Sequence, residues 1–329
     1  PIAVVDGVLT EELVGAFLRR VVERDRVGNP FVQPMIIHNG EFSTPAVERA
    51  RRSMVMVQTL AQYQGLPDLR PAVEHMVQVL ADDPRYPSSL YVPQRMALSL
   101  TRHATEVHDA YEQLQTWLQT PEGVLILVLG SFGTGKSFLM HELALRLGKA
   151  HLDGNLPLVP LLIEMRQLDR THGLDDLLGQ VLLRSGIRAL NLPVLRHMIE
   201  RGNVVLLLDG FDELALRVRY AKAAEHLGAV LRIATEHAKV VITSRTEHFI
   251  SDQQMFTALH EQAQRAPNLN SVRLLPFNVA QIEGFLRKKL GAPEADQRYQ
   301  IMRTVNDLVG LSSNPRLLNF IAELDRADL

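Results

Sequence analysis

The chain of 329 residues contains no cysteine, so it forms no disulfide and offers no thiolate to zinc or an iron–sulfur cluster. No apolar run approaches the ~18 residues of a membrane span, and the N-terminus lacks the charged stretch and apolar segment of a secretory signal. The cytoplasm is the expected location, and no membrane partner is expected. Neither sign of charge prevails: 35 Lys+Arg stand against 37 Asp+Glu, which gives no general attraction to nucleic acid. Lysine is missing from everything before Lys136. What is plentiful is aliphatic: 46% hydrophobic with 22% charged residues describes a globular chain, long enough for about two domains with separate cores.

The most informative stretch is Gly130-Ser131-Phe132-Gly133-Thr134-Gly135-Lys136-Ser137, directly after the aliphatic run 124–129. Glycines let a backbone curl so that successive N–H groups point at a β-phosphate. Lys136 would reach the β- and γ-phosphates and Ser137 would offer its hydroxyl to Mg²⁺. An amphipathic helix over 136–149, beginning with Phe138 beside the loop, aims its positive end at the anion. The chain is therefore expected to bind a nucleoside triphosphate.

Aliphatic runs at 124–129, 157–164, 203–208, 239–243 and 271–275 alternate with helical patterns near 136–149, 174–184, 193–201, 218–236 and 251–263. Such alternation indicates an α/β fold with a parallel sheet covered by helices on both faces. Beyond Pro276 only helical periodicity remains, near 278–289, 294–309 and 314–325, suggesting a small C-terminal helical lobe. Upstream, helical patterns at 8–27, 46–63 and 69–82 with one short strand over 31–37 suggest a mainly helical N-terminal region. The expected divisions are 1–88, a helical linker 89–121, the sheet domain 122–276 and the lobe 277–329.

Two further strand ends carry polar chemistry. The run from Val204 ends in Asp209-Gly210-Phe211-Asp212-Glu213. Asp209 would hold Mg²⁺ through water, while Asp212 or Glu213 would orient or deprotonate the attacking water. The strand from Lys239 ends in Thr243-Ser244-Arg245. Neighbouring parallel strands deliver their ends to one crevice, so Arg245 would lie near the γ-phosphate, where a guanidinium pairs bidentately with phosphate oxygens.

Together these three elements resemble the NACHT family within the STAND class of signalling NTPases. Leu274-Leu275-Pro276-Phe277 and Ser313-Asn314-Pro315-Arg316-Leu317-Leu318 are also similar to that family. The resemblance covers about residues 122–329 and implies a P-loop NTPase that binds ATP or ADP with Mg²⁺. It further implies an ADP-bound closed monomer that exchanges nucleotide, self-associates and activates an effector, as in prokaryotic defence, with hydrolysis slow. Pro315 would by that analogy sit against the adenine or ribose; as a residue after Asn314 it equally reads as a helix start. The family's sensor domain is expected beyond the end of this chain. Retention of ADP by a scaffold that never turns over, and a small-molecule kinase, are the other functional readings.

The segment Ile36 to Ser43 followed by an Ala/Arg helix looks faintly like the last strand and helix of restriction-endonuclease-type domains. Those sites need an Asp and a Glu-x-Lys set, and no lysine is present there. A remnant of such a domain, or a helical adaptor, is the expectation. Arg49, Arg51 and Arg52 read as a solvated face or a nucleic-acid patch, and scattered histidines suggest no further metal site.

Overall fold

The computed structural model describes residues 1–38, 42–63, 66–99, 104–170, 173–187, 191–217, 220–234, 237–246, 268–305 and 307–324. Its contacts divide the chain into two compact units, Pro1–Asp68 with Pro193–Leu195, and Leu69–Leu192 with Arg196–Leu329.

In the first unit, β1 (Ile2–Val5), β2 (Met35–His38) and β3 (Met56–Thr59) form a parallel sheet in the order β1-β2-β3. Helical residues predominate, as expected, yet the sheet organises them. Leu9, Val14, Phe17, Ile36, Ala46 and Val55 make its core. The helical pattern at 46–63 is corrected here. The helix Thr44–Arg52 is capped by Ser43 and ends at Ser53, Met54 takes a left-handed φ of 52°, and the chain re-enters as β3. Val57 and Thr59, branched at Cβ, suit the pleat beside β2 better than a helix. The strand expected over 31–37 starts only after Pro34, leaving Phe31 88% exposed in the turn before it.

The boundary expected at 88 also moves. Helix Arg70–Ala81 belongs to the second unit because it packs on helix Lys136–Leu152. Gly148 makes that contact close: a Cβ there would stand 2.6 Å from Val77 Cγ2.

The second unit is built on β4 (Met96–Ala97), β5 (Glu106–Val107), β6 (Val124–Leu129), β7 (Val159–Glu164), β8 (Val204–Asp209), β9 (Lys239–Ser244) and β10 (Leu269–Leu274). Their order is β5-β4-β10-β6-β9-β8-β7. The long strands are all parallel, as the aliphatic runs imply, whereas β4 and β5 add an antiparallel edge inside the expected helical linker 89–121, leaving one helix after them. That helix runs Ala110–Leu118, with Asp109 accepting from the N–H groups of Tyr111 and Glu112. Every residue of β6, β8 and β9 is buried, which is why their sequences show no alternation. The helix expected over 251–263 lies outside the described residues.

The lobe consists of helices Val279–Leu290, Ala292–Thr304, Leu308–Leu311 and Pro315–Glu323. Asn278 and Gln281 form a reciprocal capping box at the first of them. Phe277, Ile282, Phe285, Met302 and Leu318 fill its own small core.

Candidate nucleotide site

The order β6-β9-β8 places three strand ends side by side, each delivering a polar turn to the same rim of the sheet. From β6 comes the glycine loop. Gly133 and Gly135 take φ of 78° and 93°, which lets the loop turn into helix Lys136–Leu152. Lys136 Nζ donates to the carbonyls of Gly130 (2.6 Å) and Ser131 (3.0 Å), and Thr134 Oγ1 donates to Ser131 O at 2.9 Å.

From β8 comes Asp209, which is 9% exposed and accepts a 2.6 Å hydrogen bond from Thr243 Oγ1 of β9. Thr243 in turn accepts from the Gly210 N–H at 2.8 Å, so one hydroxyl locks the two strand ends together. Burial raises the Asp209 carboxyl above its usual range, against the opposing hydrogen bonds of Thr243 and Ser137. Asp212, 5% exposed, pairs with Arg245 Nε at 2.8 Å. The three strand-end motifs thus lie together at one rim of the sheet.

A cleft of about 650 Å³ opens over them. Phe132 to Phe138, Asp209, Asp212, Glu213, Arg245 and Pro315 all line it. Gly130 and Ser131 do not. Ser131 faces a second cavity of about 400 Å³ behind the loop, together with Thr246, Arg273 and Ser313. Pro315 lines the cleft, and it opens a helix whose Asn314 cap accepts from the N–H groups of Arg316 and Leu317, as its reading as a helix start expects.

Sequence reasoning missed the strap that leads into the core. Pro84, Arg85, Tyr86, Tyr91, Val92 and Gln94 line the same cleft. Tyr86 packs on Phe138 and His141 with ring centroids 5.7 and 4.3 Å away. Arg85 pairs with Asp83 at 2.7 Å and lies 3.8 Å from Glu164, which is in register with Asp209. Gln94, 2% exposed, donates from Nε2 to the carbonyls of Thr134 (3.3 Å) and Gly135 (2.9 Å). The strap also reaches the lobe: Gln281 donates to Pro93 O at 2.7 Å, Arg95 donates to Gln281 Oε1 at 3.3 Å, and Lys288 donates to Tyr91 O. Only the Asp-and-proline punctuation of 82–89 marked this stretch in the sequence, and it reads as the end of the N-terminal region.

The lobe touches the loop directly. Asn314 Nδ2 donates to Phe132 O (2.8 Å), and the Arg316 N–H donates to Gly133 O (3.3 Å). The Phe132 ring lies under two guanidinium groups, Arg245 at 4.9 Å and Arg316 at 4.6 Å.

These residues fit a nucleotide with magnesium. The loop carries the required positive-φ glycines, and the Ser137 hydroxyl and Asp209 carboxylate form a hard-oxygen pair. A buried carboxylate whose charge is disfavoured is one that a divalent cation would stabilise. No helix among the described residues is long and apolar enough to cross a membrane.

Two family models match the chain. Residues 1–69 match the model of the NACHT-associated inactive Restriction Endonuclease 2, in keeping with the faint endonuclease likeness of Ile36 to Ser43. An uncharacterized WD repeat-containing protein of Nostoc sp. is 25% identical over 224 residues, 65% of this chain but 14% of that protein. Among solved structures, Cdc6p from Pyrobaculum aerophilum is 16% identical over 58% of this chain and 52% of its own, with a TM-score of 0.34. The Aeropyrum pernix ORC1 protein, solved in complex with DNA, is 18% identical over 68% of this chain and 49% of its own, also at 0.34. The chain thus spans about half or less of each of these proteins. Residues 124–293, more than half of the chain and the stretch that holds all three strand-end motifs, match the NACHT domain model, and the chain belongs to the NACHT domain family.

Proposed function

We propose that this chain is the nucleotide-operated part of a signalling switch: ATP binding opens and self-associates it to activate an effector, and slow hydrolysis to ADP resets it. The observation that carries this reading is the shared cleft, in which loop, acidic turn and arginine strand end meet the helical lobe. A ligand shifts an equilibrium only by binding one state better than the other, and a cleft bounded on one side by a separate lobe supplies the differential contact.

Lys136 and the loop N–H groups would hold the phosphates, and Ser137 with Asp209 would hold Mg²⁺, which neutralises charge on the β- and γ-oxygens. Asp212 or Glu213 would orient the attacking water. Thr243 would hold the carboxylate of Asp209 in position for the Mg²⁺, and Arg245 would exchange Asp212 for phosphate. A role in prokaryotic defence, which the family resemblance implies, and a cytoplasmic location belong to the same proposal. The first 69 residues, matched to a family described as inactive and free of lysine, serve in this reading as a non-catalytic adaptor.

One observation favours the ADP-retaining scaffold instead. Asp212 is already engaged by Arg245, which would hold it away from water. Two measurements separate the readings: the identity of the nucleotide that co-purifies, and phosphate release from ATP with Mg²⁺ by the wild type and by Lys136→Ala. Turnover lost in that variant supports the switch. Tightly held ADP with no phosphate release from the wild type supports the scaffold.

A further inference from the structure

The cleft holds several cations, and most already have anionic company. Arg85 is paired with Asp83 and Glu164, Arg245 with Asp212, and Lys289 with Glu323. Among the described residues Arg316 makes no ion pair. It is exposed, it lines the cleft, and its guanidinium rests on Phe132 and, at 5.9 Å, on Phe320. Its backbone N–H donates to Gly133 O, so the residue is anchored at the lip of the phosphate loop while its side chain lies across a ring that is itself 52% exposed.

We propose that Arg316 is a phosphate-binding residue carried by the helical lobe, which leaves the Phe132 ring to pair with the terminal phosphate of a bound triphosphate. This rests on the nucleotide-switch reading of the cleft. A cation over an exposed ring is weakly held, whereas a guanidinium on a phosphate makes two charge-assisted hydrogen bonds, so the exchange runs toward the anion. Phe132 serves as the resting place for both guanidinium groups. Arg245 belongs to the sheet and Arg316 to the lobe, so a γ-phosphate that draws both also sets the spacing between their two supports. The nucleotide is thereby read as a lobe position. A diphosphate, one phosphoryl group shorter, leaves Arg316 on the ring.

The test compares Kd for ATP and ADP, each with Mg²⁺, in the wild type, Arg316→Gln and Lys136→Ala. Arg316→Gln removes the charge and leaves a shorter polar side chain. It is expected to weaken ATP about tenfold or more while changing ADP less than about twofold. Unaltered thermal unfolding of Arg316→Gln would show that the lobe still folds; if unfolding shifts, Arg316→Lys, which keeps the charge, must restore most of the ATP affinity. Equal effects on ATP and ADP, or none on either, would overturn the proposal. Lys136→Ala reports on the underlying reading separately: nucleotide held tightly in that variant sinks the site itself, whereas loss there with no ATP-selective effect at Arg316 sinks only the role of Arg316.

Discussion

Acid should loosen the base of the nucleotide cleft through one ring, His141. It lies on the helix that starts at Lys136 and is 5% exposed. Its Nδ1 is 3.8 Å from Asp83, too far for a hydrogen bond, and Tyr86 covers it. Burial, only partly opposed by the charges of Asp83 and Glu164, pushes its pKa down to about 4. The unfolded chain takes a proton on this ring below 6.5, while the folded one refuses it until about 4, so stability is full above that interval and falls as pH drops through it. At about 1.4 kcal/mol per unit, the whole interval is worth about 3 kcal/mol, a large part of the stability of an ordinary domain. Asp83 is held below its usual value, first by the hydrogen bond from Arg85, so its own titration falls beneath this window. Urea unfolding at pH 7, 6 and 5 for the wild type and for His141→Gln isolates the effect, because every other histidine is common to both proteins. The wild type should lose stability with acid faster than the variant, by about 2 kcal/mol at pH 5 relative to pH 7. Parallel curves would refute the reasoning, for they would mean the ring is charged when folded or already reaches water.

Other expectations concern the site. Thr243→Val removes a charge-assisted hydrogen bond to Asp209 and strands the Gly210 N–H, which should destabilise the protein by about 2–4 kcal/mol in chemical unfolding; Thr243→Ser should recover most of it. Asp212→Asn and Glu213→Gln should each leave ATP affinity within a few-fold while one of them stops phosphate release, and undiminished turnover in both would remove the catalytic role. Gln94→Leu should weaken ATP and ADP alike, since it frees the carbonyls of Thr134 and Gly135 without touching any phosphate contact; an effect on ATP alone would place Gln94 elsewhere in the mechanism.

What could be read in advance follows the range of the interactions. The glycine loop, the acidic turn and the Thr-Ser-Arg strand end were legible because each is a local pattern of strand, tight turn and polar tip, and parallel pairing brings such tips together by rule. The strap was not legible. Gln94 meets Thr134 and Gly135, and Pro93 meets Gln281, across long stretches of sequence and through side-chain amides that have no periodicity. β3 was hidden for another reason. The Ala/Arg helix before it and Leu60–Tyr63 after it extend one helical pattern across both, and only the left-handed Met54 breaks the run. The two-residue strands β4 and β5 are too short for any alternation to register. The pairing of Arg245 with Asp212 was likewise invisible, because each motif alone points at phosphate rather than at the other.

The stretch from Tyr91 to Arg95 works as a ruler. Its side chains and carbonyls are pinned to the glycine loop at Gln94 and to the lobe at Tyr91, Pro93 and Arg95. One inserted residue would slide an extended segment by about 3.3 Å and turn the next side chain to the opposite side. All the pins would then miss together. Length variation among relatives should therefore fall outside these five positions.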